Sequence, residues 1–150
     1  MPEIYFDEHR TQRYDAQSAE MFEPAVVDAT VVVLAELAGT GAALELAVGT
    51  GRIALPLSRR GVRVHGIDLS PAMVAQLRAK PGADEIDVTI GDFTSTRVPG
   101  AFTLAYLVYN SIMNVTTQAE QVECFRNAAA HLEPGGWFVI EVGVPDRGRL

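Results

Sequence analysis

The chain has 150 residues, 48% hydrophobic and 21% charged, with a formal net charge of −7. That is enough for one domain with an apolar core, and the sign disfavours binding to the phosphates of bulk nucleic acid. No apolar run reaches the roughly eighteen residues of a membrane span, the charged N-terminus MPEIYFDEHRTQRYD has no signal-peptide core, and the one cysteine, Cys124, cannot form an internal disulfide, so a cytoplasmic, membrane-free protein is expected.

Residues 1–17 read as an irregular segment and residues 18–150 as one domain. From Ser18 to Leu37, apolar residues at Phe22, Val26, Ala29, Val33 and Leu37 predict one stripe of an amphipathic helix. Pro24 sits near its start, where proline is tolerated, and Gly39-Thr40-Gly41 ends it. A rhythm follows. Ala43–Val48 reads as a buried strand, Thr50–Arg60 as a helix stopped by Gly61, and Arg63–Asp68 (RVHGID) as a second strand. Ser70 is a fitting N-cap with Pro71 at the first helical position, for a helix to about Lys80 stopped by Pro81-Gly82. Asp87–Asp92 (DVTIGD) is a third strand and Phe102–Tyr109 a fourth, almost continuously apolar as a strand covered on both faces should be. Thr116 or Thr117 caps a helix with an expected core face of Ala119, Val122, Phe125, Ala129 and Leu132. Pro134-Gly135-Gly136 then turns the chain into a fifth strand, Trp137–Val142.

Strands alternating with helices predict an α/β, doubly wound, mainly parallel sheet of about five strands, preceded by an N-terminal helix. Ligands of such sheets bind outside the carboxyl ends of the strands, so the chemistry is sought there. After the first strand, Gly49 and Gly51 allow close approach of backbone to a ligand. The loop lacks the lysine of a nucleoside-triphosphate loop, yet Gly49-Thr50-Gly51-Arg52-Ile53-Ala54 fits a dinucleotide fingerprint, with Asp68 near the distance of a ribose-binding acid. Asp68 is acceptor-only when ionised, suited to two ribose hydroxyls; capping the next helix falls more naturally to Ser70. At the third end, Asp92 suits an exocyclic amine and Phe93 a flat base, while the same Gly-Asp pair also makes an ordinary turn.

Glu45-x-Ala47-x-Gly49-x-Gly51, then Asp68, then Gly91-Asp92-Phe93, then HLEPGGWFVIEV at 131–142, resemble class I S-adenosylmethionine-dependent methyltransferases. The resemblance runs from about Ser18 to the last residue, with the motifs in the family's order and spacing. It implies a Rossmann-like core and S-adenosyl-L-methionine as cofactor. Carried over by position, Glu45, Ala47, Gly49 and Gly51 line the methionine side, Asp68 holds the ribose with Leu69 and Met73 beside it, and Asp92 and Phe93 flank the adenine. Ala47 departs from the pattern: the family usually has a glycine there, and some crowding is the expected cost. Glu45 favours this reading over a dinucleotide, because a buried carboxylate is costly unless it is given a partner, and the cofactor's cationic methionine end provides one.

The resemblance further implies methyl transfer by direct displacement to a small-molecule acceptor, with no metal. His9, His65 and His131 are scattered, and the latter two read as structural. Tyr109, Asn110, Ser111 and Asn114, in VYNSIMN after the fourth strand, are the expected acceptor wall, with Asn110 also counted among the cofactor contacts. Tyr5, Phe6 and Tyr14 form a candidate lid, Tyr14 against the cofactor, and Glu141 is a candidate general base by position. Two further strands of the family do not follow Val142. A shortened domain is therefore expected, whose uncovered fifth strand offers an edge for a homodimer. The alternatives are a cofactor-binding remnant or regulatory domain without turnover, and an NAD-dependent oxidoreductase; against the latter, Tyr106 is followed at four residues by Asn110 and not by a catalytic lysine.

Overall fold

Five apolar runs become the five strands of one all-parallel sheet in a computed structural model of the chain, which describes residues 24–108 and 118–140. In chain order the elements are α1 (Pro24–Ala38), β1 (Ala43–Leu46), α2 (Ala54–Arg59), β2 (Val64–Asp68), α3 (Pro71–Arg78), a 3₁₀ turn (Ala83–Glu85), β3 (Ile86–Ile90), β4 (Phe102–Leu107), α4 (Gln118–His131) and β5 (Leu132–Ile140). The sheet order is β3-β2-β1-β4-β5. The chain winds outward from β1 to β3, then returns to lay β4 on the other side of β1. That reversal makes a crevice at the carboxyl end of β1, where ligands of such sheets bind.

The sheet divides two apolar layers, as its period-two alternation requires. Ala43, Val64, Leu104 and Tyr106 face one layer, shared with Val31, Leu34 and Ala38 of α1, Leu57 of α2 and Leu77 of α3. Leu44, Leu46, Ile67, Ala105 and Leu107 face the other, with Cys124 and Ala128 of α4 and Phe93, Val98 and Phe102. The fold is therefore the expected doubly wound α/β core.

Both helix faces expected from the sequence are corrected, although Leu37 and Leu132 do pack against the core as expected. Val26 and Val33 of α1 are 47% and 51% exposed, and the buried line is Val31, Leu34 and Ala38, with Val27 packed against it. Nearly every position of α1 is apolar, so several stripes fit its sequence and tertiary packing selects among them. In α4, Val122 and Phe125 are exposed, as are Ala119 and Ala129, and the inner line is Cys124, Asn127, Ala128 and His131. Two polar residues on the buried side hid that face. The helix expected from Thr50 begins only at Ala54, because Gly49 and Gly51 hold left-handed φ angles of 58° and 83°, which end any helix there. β5 starts earlier than expected, at Leu132; its register with β4 jumps from Phe102↔Leu132 to Leu104↔Trp137, so the Pro134-Gly135-Gly136 turn forms a bulge inside the strand. Among the described residues no strand pairs with the outer edge of β5, and no helix is long and apolar enough to cross a membrane.

Candidate functional site

Parallel pairing brings the carboxyl ends of β1, β2 and β3 to one rim of the sheet. On that rim the loop after β1 is held by side chains from its neighbours. Asp68, the last residue of β2, accepts the backbone N–H of Gly49 at 2.7 Å through Oδ2 and that of Ser70 at 2.9 Å through Oδ1. It is buried. Burial raises its pKa above the usual carboxylate value, and the N–H bonds from Ser70, Gly49 and Leu69 oppose that rise. A carboxylate offers about four acceptor sites, so capacity remains for hydroxyl donors. Ser70 is the N-cap of α3, accepting from Met73 N at 3.2 Å, with Pro71 next. The cap therefore does not occupy Asp68, as the sequence suggests.

The glycines of the loop also do a job that the sequence did not signal. A Cβ on Gly49 would lie 3.1 Å from Met73 Cε, and one on Gly51 would lie 3.0 Å from Leu77 Cδ1. Both missing side chains make room for α3, and both φ angles are left-handed. The backbone therefore also approaches a neighbouring helix closely here. From the end of α3, Lys80 Nζ donates to Thr50 O at 2.9 Å, a tether that nothing in the sequence signals. Ala47 has φ +61°, the one non-glycine left-handed residue among those described. The glycine that usually stands there in the family is thus replaced at a position where a Cβ is strained, about 1–2 kcal/mol.

Glu45 lies two residues before Ala47, fully within the interior. Tyr106 Oη, from the register partner on β4, donates to its Oε1 at 2.9 Å. Burial, chiefly, and the nearby Asp68 carboxylate push the Glu45 pKa well above the usual carboxylate range, with the Tyr106 bond opposing. Tyr106, considered in the sequence only as a failed oxidoreductase signature, is thus the partner that this carboxyl needs. The pairing of β1 with β4 is the signal that would have found it, and that pairing exists only in three dimensions.

After β3, Asp92 turns the chain back on itself. Its Oδ1 accepts from Thr94 N at 2.9 Å and Thr94 Oγ1 at 2.7 Å, and its carbonyl accepts from Ser95 N and Thr96 N. The Gly-Asp turn of the sequence is present, and Oδ2 accepts no hydrogen bond among the described residues. Phe93 is buried and Leu69 half-buried. Glu45, Ala47, Gly49, Gly51, Asp68, Leu69, Met73, Asp92 and Phe93 thus all belong to the rim or to the strands and helix supporting it. Tyr5, Phe6, Tyr14, Tyr109, Asn110, Ser111, Asn114 and Glu141 lie outside the described residues. His65 binds Thr89 Oγ1 on β3 at 2.8 Å, a cross-strand structural contact. No cluster of His, Cys, Asp and Glu that could hold a metal occurs among the described residues.

The arrangement has known counterparts. The chain matches the methyltransferase domain family over residues 43–136. It is 29% identical over 144 residues to the cypemycin N-terminal methyltransferase of a Streptomyces species, covering 96% of this chain and 58% of that one. It is 28% identical over 110 residues to the putative methyltransferase YqeM of Bacillus subtilis, covering 72% and 44%. The chain thus spans about half the length of these curated relatives. Among solved structures, the CcbJ methyltransferase from Streptomyces caelestis superimposes with a TM-score of 0.78 at 32% identity, covering 90% of this chain and 58% of that one. The glycopeptide N-methyltransferase MtfA, complexed with S-adenosyl-L-methionine, gives 0.66 at 25% identity, covering 75% and 48%. With the family match spanning more than half of its length, and the parallel sheet carrying the family's loop, acid and turn at successive strand ends, the chain belongs to the class I S-adenosylmethionine-dependent methyltransferases.

Proposed function

We propose that the chain binds S-adenosylmethionine across the ends of β1, β2 and β3 and positions it for methyl transfer to an amine of a small-molecule acceptor. The observation that carries this reading is Asp68, at the end of β2, which holds the loop after β1 through Gly49 and stands at the rim of the sheet. A ligand with a sulfonium and an ammonium would be drawn to that carboxylate, and the match to the methyltransferase domain family favours such a ligand over NAD. Asp68, already holding Gly49 and Ser70, has acceptor capacity for the ribose hydroxyls. Asp92 presents Oδ2 for the adenine amine, with Phe93 beside it.

When bound, the cofactor supplies an electrophilic methyl group already activated by its sulfonium charge. What remains for the protein is orientation and exclusion of water. Asp68 fixes the loop, Lys80 holds the Thr50 carbonyl, and the buried Glu45–Tyr106 pair anchors the last residues of β1 to β4. The names of the cypemycin N-terminal methyltransferase and the glycopeptide N-methyltransferase favour nitrogen as the accepting atom. Calorimetric titration of S-adenosylmethionine and NAD, each into wild type and Asp68→Ala, tests the cofactor. Saturable binding of S-adenosylmethionine alone, weakened by the substitution, is expected; equal or preferential binding of NAD would overturn the reading. A screen of amine and hydroxyl acceptors with methyl-labelled cofactor then tests the accepting atom, and label appearing only in hydroxyl compounds would overturn nitrogen.

A further inference from the structure

Two polar side chains on the buried face of α4 have no part in the site as described so far. Asn127 is 2% exposed, and both hydrogens of its amide are used: Nδ2 donates to Phe93 O and to Thr96 O, each at 2.9 Å. Its Oδ1 is buried with no hydrogen-bond partner among the described residues. An unmade bond of that kind carries a penalty, so the amide orientation is dictated by the two loop carbonyls. One turn later, His131 receives the Val98 N–H at Nε2, 3.0 Å away. Because a backbone N–H can only donate, Nε2 must be the unprotonated nitrogen. Nδ1 then carries the proton and donates to Asn127 O at 2.7 Å. The His131 ring also meets Phe102 edge to face at 6.0 Å.

These bonds converge on one segment, the turn from Asp92 to Val98. Its outer end is closed by its own bonds, from Thr94, Ser95 and Thr96 to Asp92. Its inner end is fastened to α4 at Phe93, Thr96 and Val98. Burial, chiefly, and then the Asp92 charge raise the pKa of the Cys124 thiol, on the same helix face, to about 11. The turn is thus held rigid between β3 and α4.

We propose that Asn127 and His131 are positioning residues for the adenine subsite: through Phe93, Thr96 and Val98 they set where the Asp92 carboxylate stands, and so how well the protein distinguishes a 6-amino purine from a 6-oxo one. This rests on the reading of Asp92 as the acceptor for the adenine amine. A residue that only stabilises the fold would affect affinity for both purines alike, whereas a positioning residue affects their ratio.

The test measures, by calorimetry, the affinities of S-adenosylhomocysteine and of S-inosylhomocysteine, in which the 6-amino group is a carbonyl oxygen. Wild type should prefer the adenine compound by roughly tenfold or more, the worth of one charge-assisted hydrogen bond, and Asp92→Asn should lose most of that preference. Asn127→Ala and His131→Leu should each reduce the ratio to about threefold or less, while His131→Gln, whose amide oxygen can still accept from Val98, should keep most of it. Circular dichroism checks folding, and if Asn127→Ala does not fold, His131→Leu carries the comparison. Unchanged ratios in the α4 variants, with the ratio lost in Asp92→Asn, would overturn the positioning role and leave the adenine reading standing. No preference in wild type would overturn the adenine reading and the positioning role with it.

Discussion

Tyr106 Oη donates to Glu45 Oε1 across 2.9 Å of a wholly buried strand pair, two residues from the loop proposed to hold the cofactor. Removing the donor leaves a carboxyl in the core without its partner, which costs about 1–3 kcal/mol. Tyr106→Phe should therefore lower the melting temperature by roughly 2–12 °C for a domain of this size, as read by calorimetry. An unchanged melting temperature would show that the bond contributes nothing net.

The same carboxyl makes stability depend on pH. The folded-state pKa of Glu45 is raised well above its ordinary 4.5, and that of Asp68 is raised above 3.8. The folded state then keeps protons that the unfolded chain has released. Their stabilising contribution is fully present below those ordinary values and is lost as pH rises through the raised ones. Denaturation followed in steps upward from about pH 4.5 should show stability falling. Glu45→Gln, which keeps an acceptor for Tyr106, should flatten that fall and leave the protein more stable than wild type at neutral pH. A Gln variant with the wild-type pH profile would remove Glu45 as the source.

Ala47→Gly should stabilise the chain. The left-handed φ of +61° strains an alanine by about 1–2 kcal/mol, while glycine adds back about 0.4–1 kcal/mol of unfolded-state entropy. The balance predicts a rise in melting temperature of roughly 1–4 °C. A fall would mean that the methyl group's packing outweighs its strain.

Asp68→Asn should weaken cofactor binding by roughly tenfold or more. Its amide nitrogen or oxygen must face either the Gly49 N–H or the Ser70 N–H, and one of those bonds becomes donor against donor. Calorimetry of S-adenosylhomocysteine with the variant measures the loss. Wild-type affinity would place the ribose elsewhere.

The strands and their order along the chain were legible in the sequence because each is a short apolar run ended by glycine or an acid. Ser70 and Pro71 announced α3 through cap chemistry that acts locally. The rim positions Asp68 and Asp92 were legible for the same reason, as single acids at strand ends. The helix faces were not. The apolar abundance of α1 concealed that Val31 and Leu34 turn inward, and the buried side of α4 is marked by Asn127 and His131, whose polarity reads as exposed until their partners on the Asp92–Val98 turn are seen. Tyr106 and Lys80 were missed for a related reason. Their partners, Glu45 and the Thr50 carbonyl, are distant in the chain and are brought near only by strand pairing and helix docking.

The proposed strand-end site is tested most directly by titrating S-adenosylhomocysteine into isotopically labelled protein and following the backbone amide resonances. The account predicts saturable shifts concentrated at Ala47–Gly51, Asp68–Ser70 and Asp92–Thr94, with little change along the outer face of α1. Shifts centred away from the carboxyl ends of β1, β2 and β3, or none at saturating ligand with the protein folded, would contradict it.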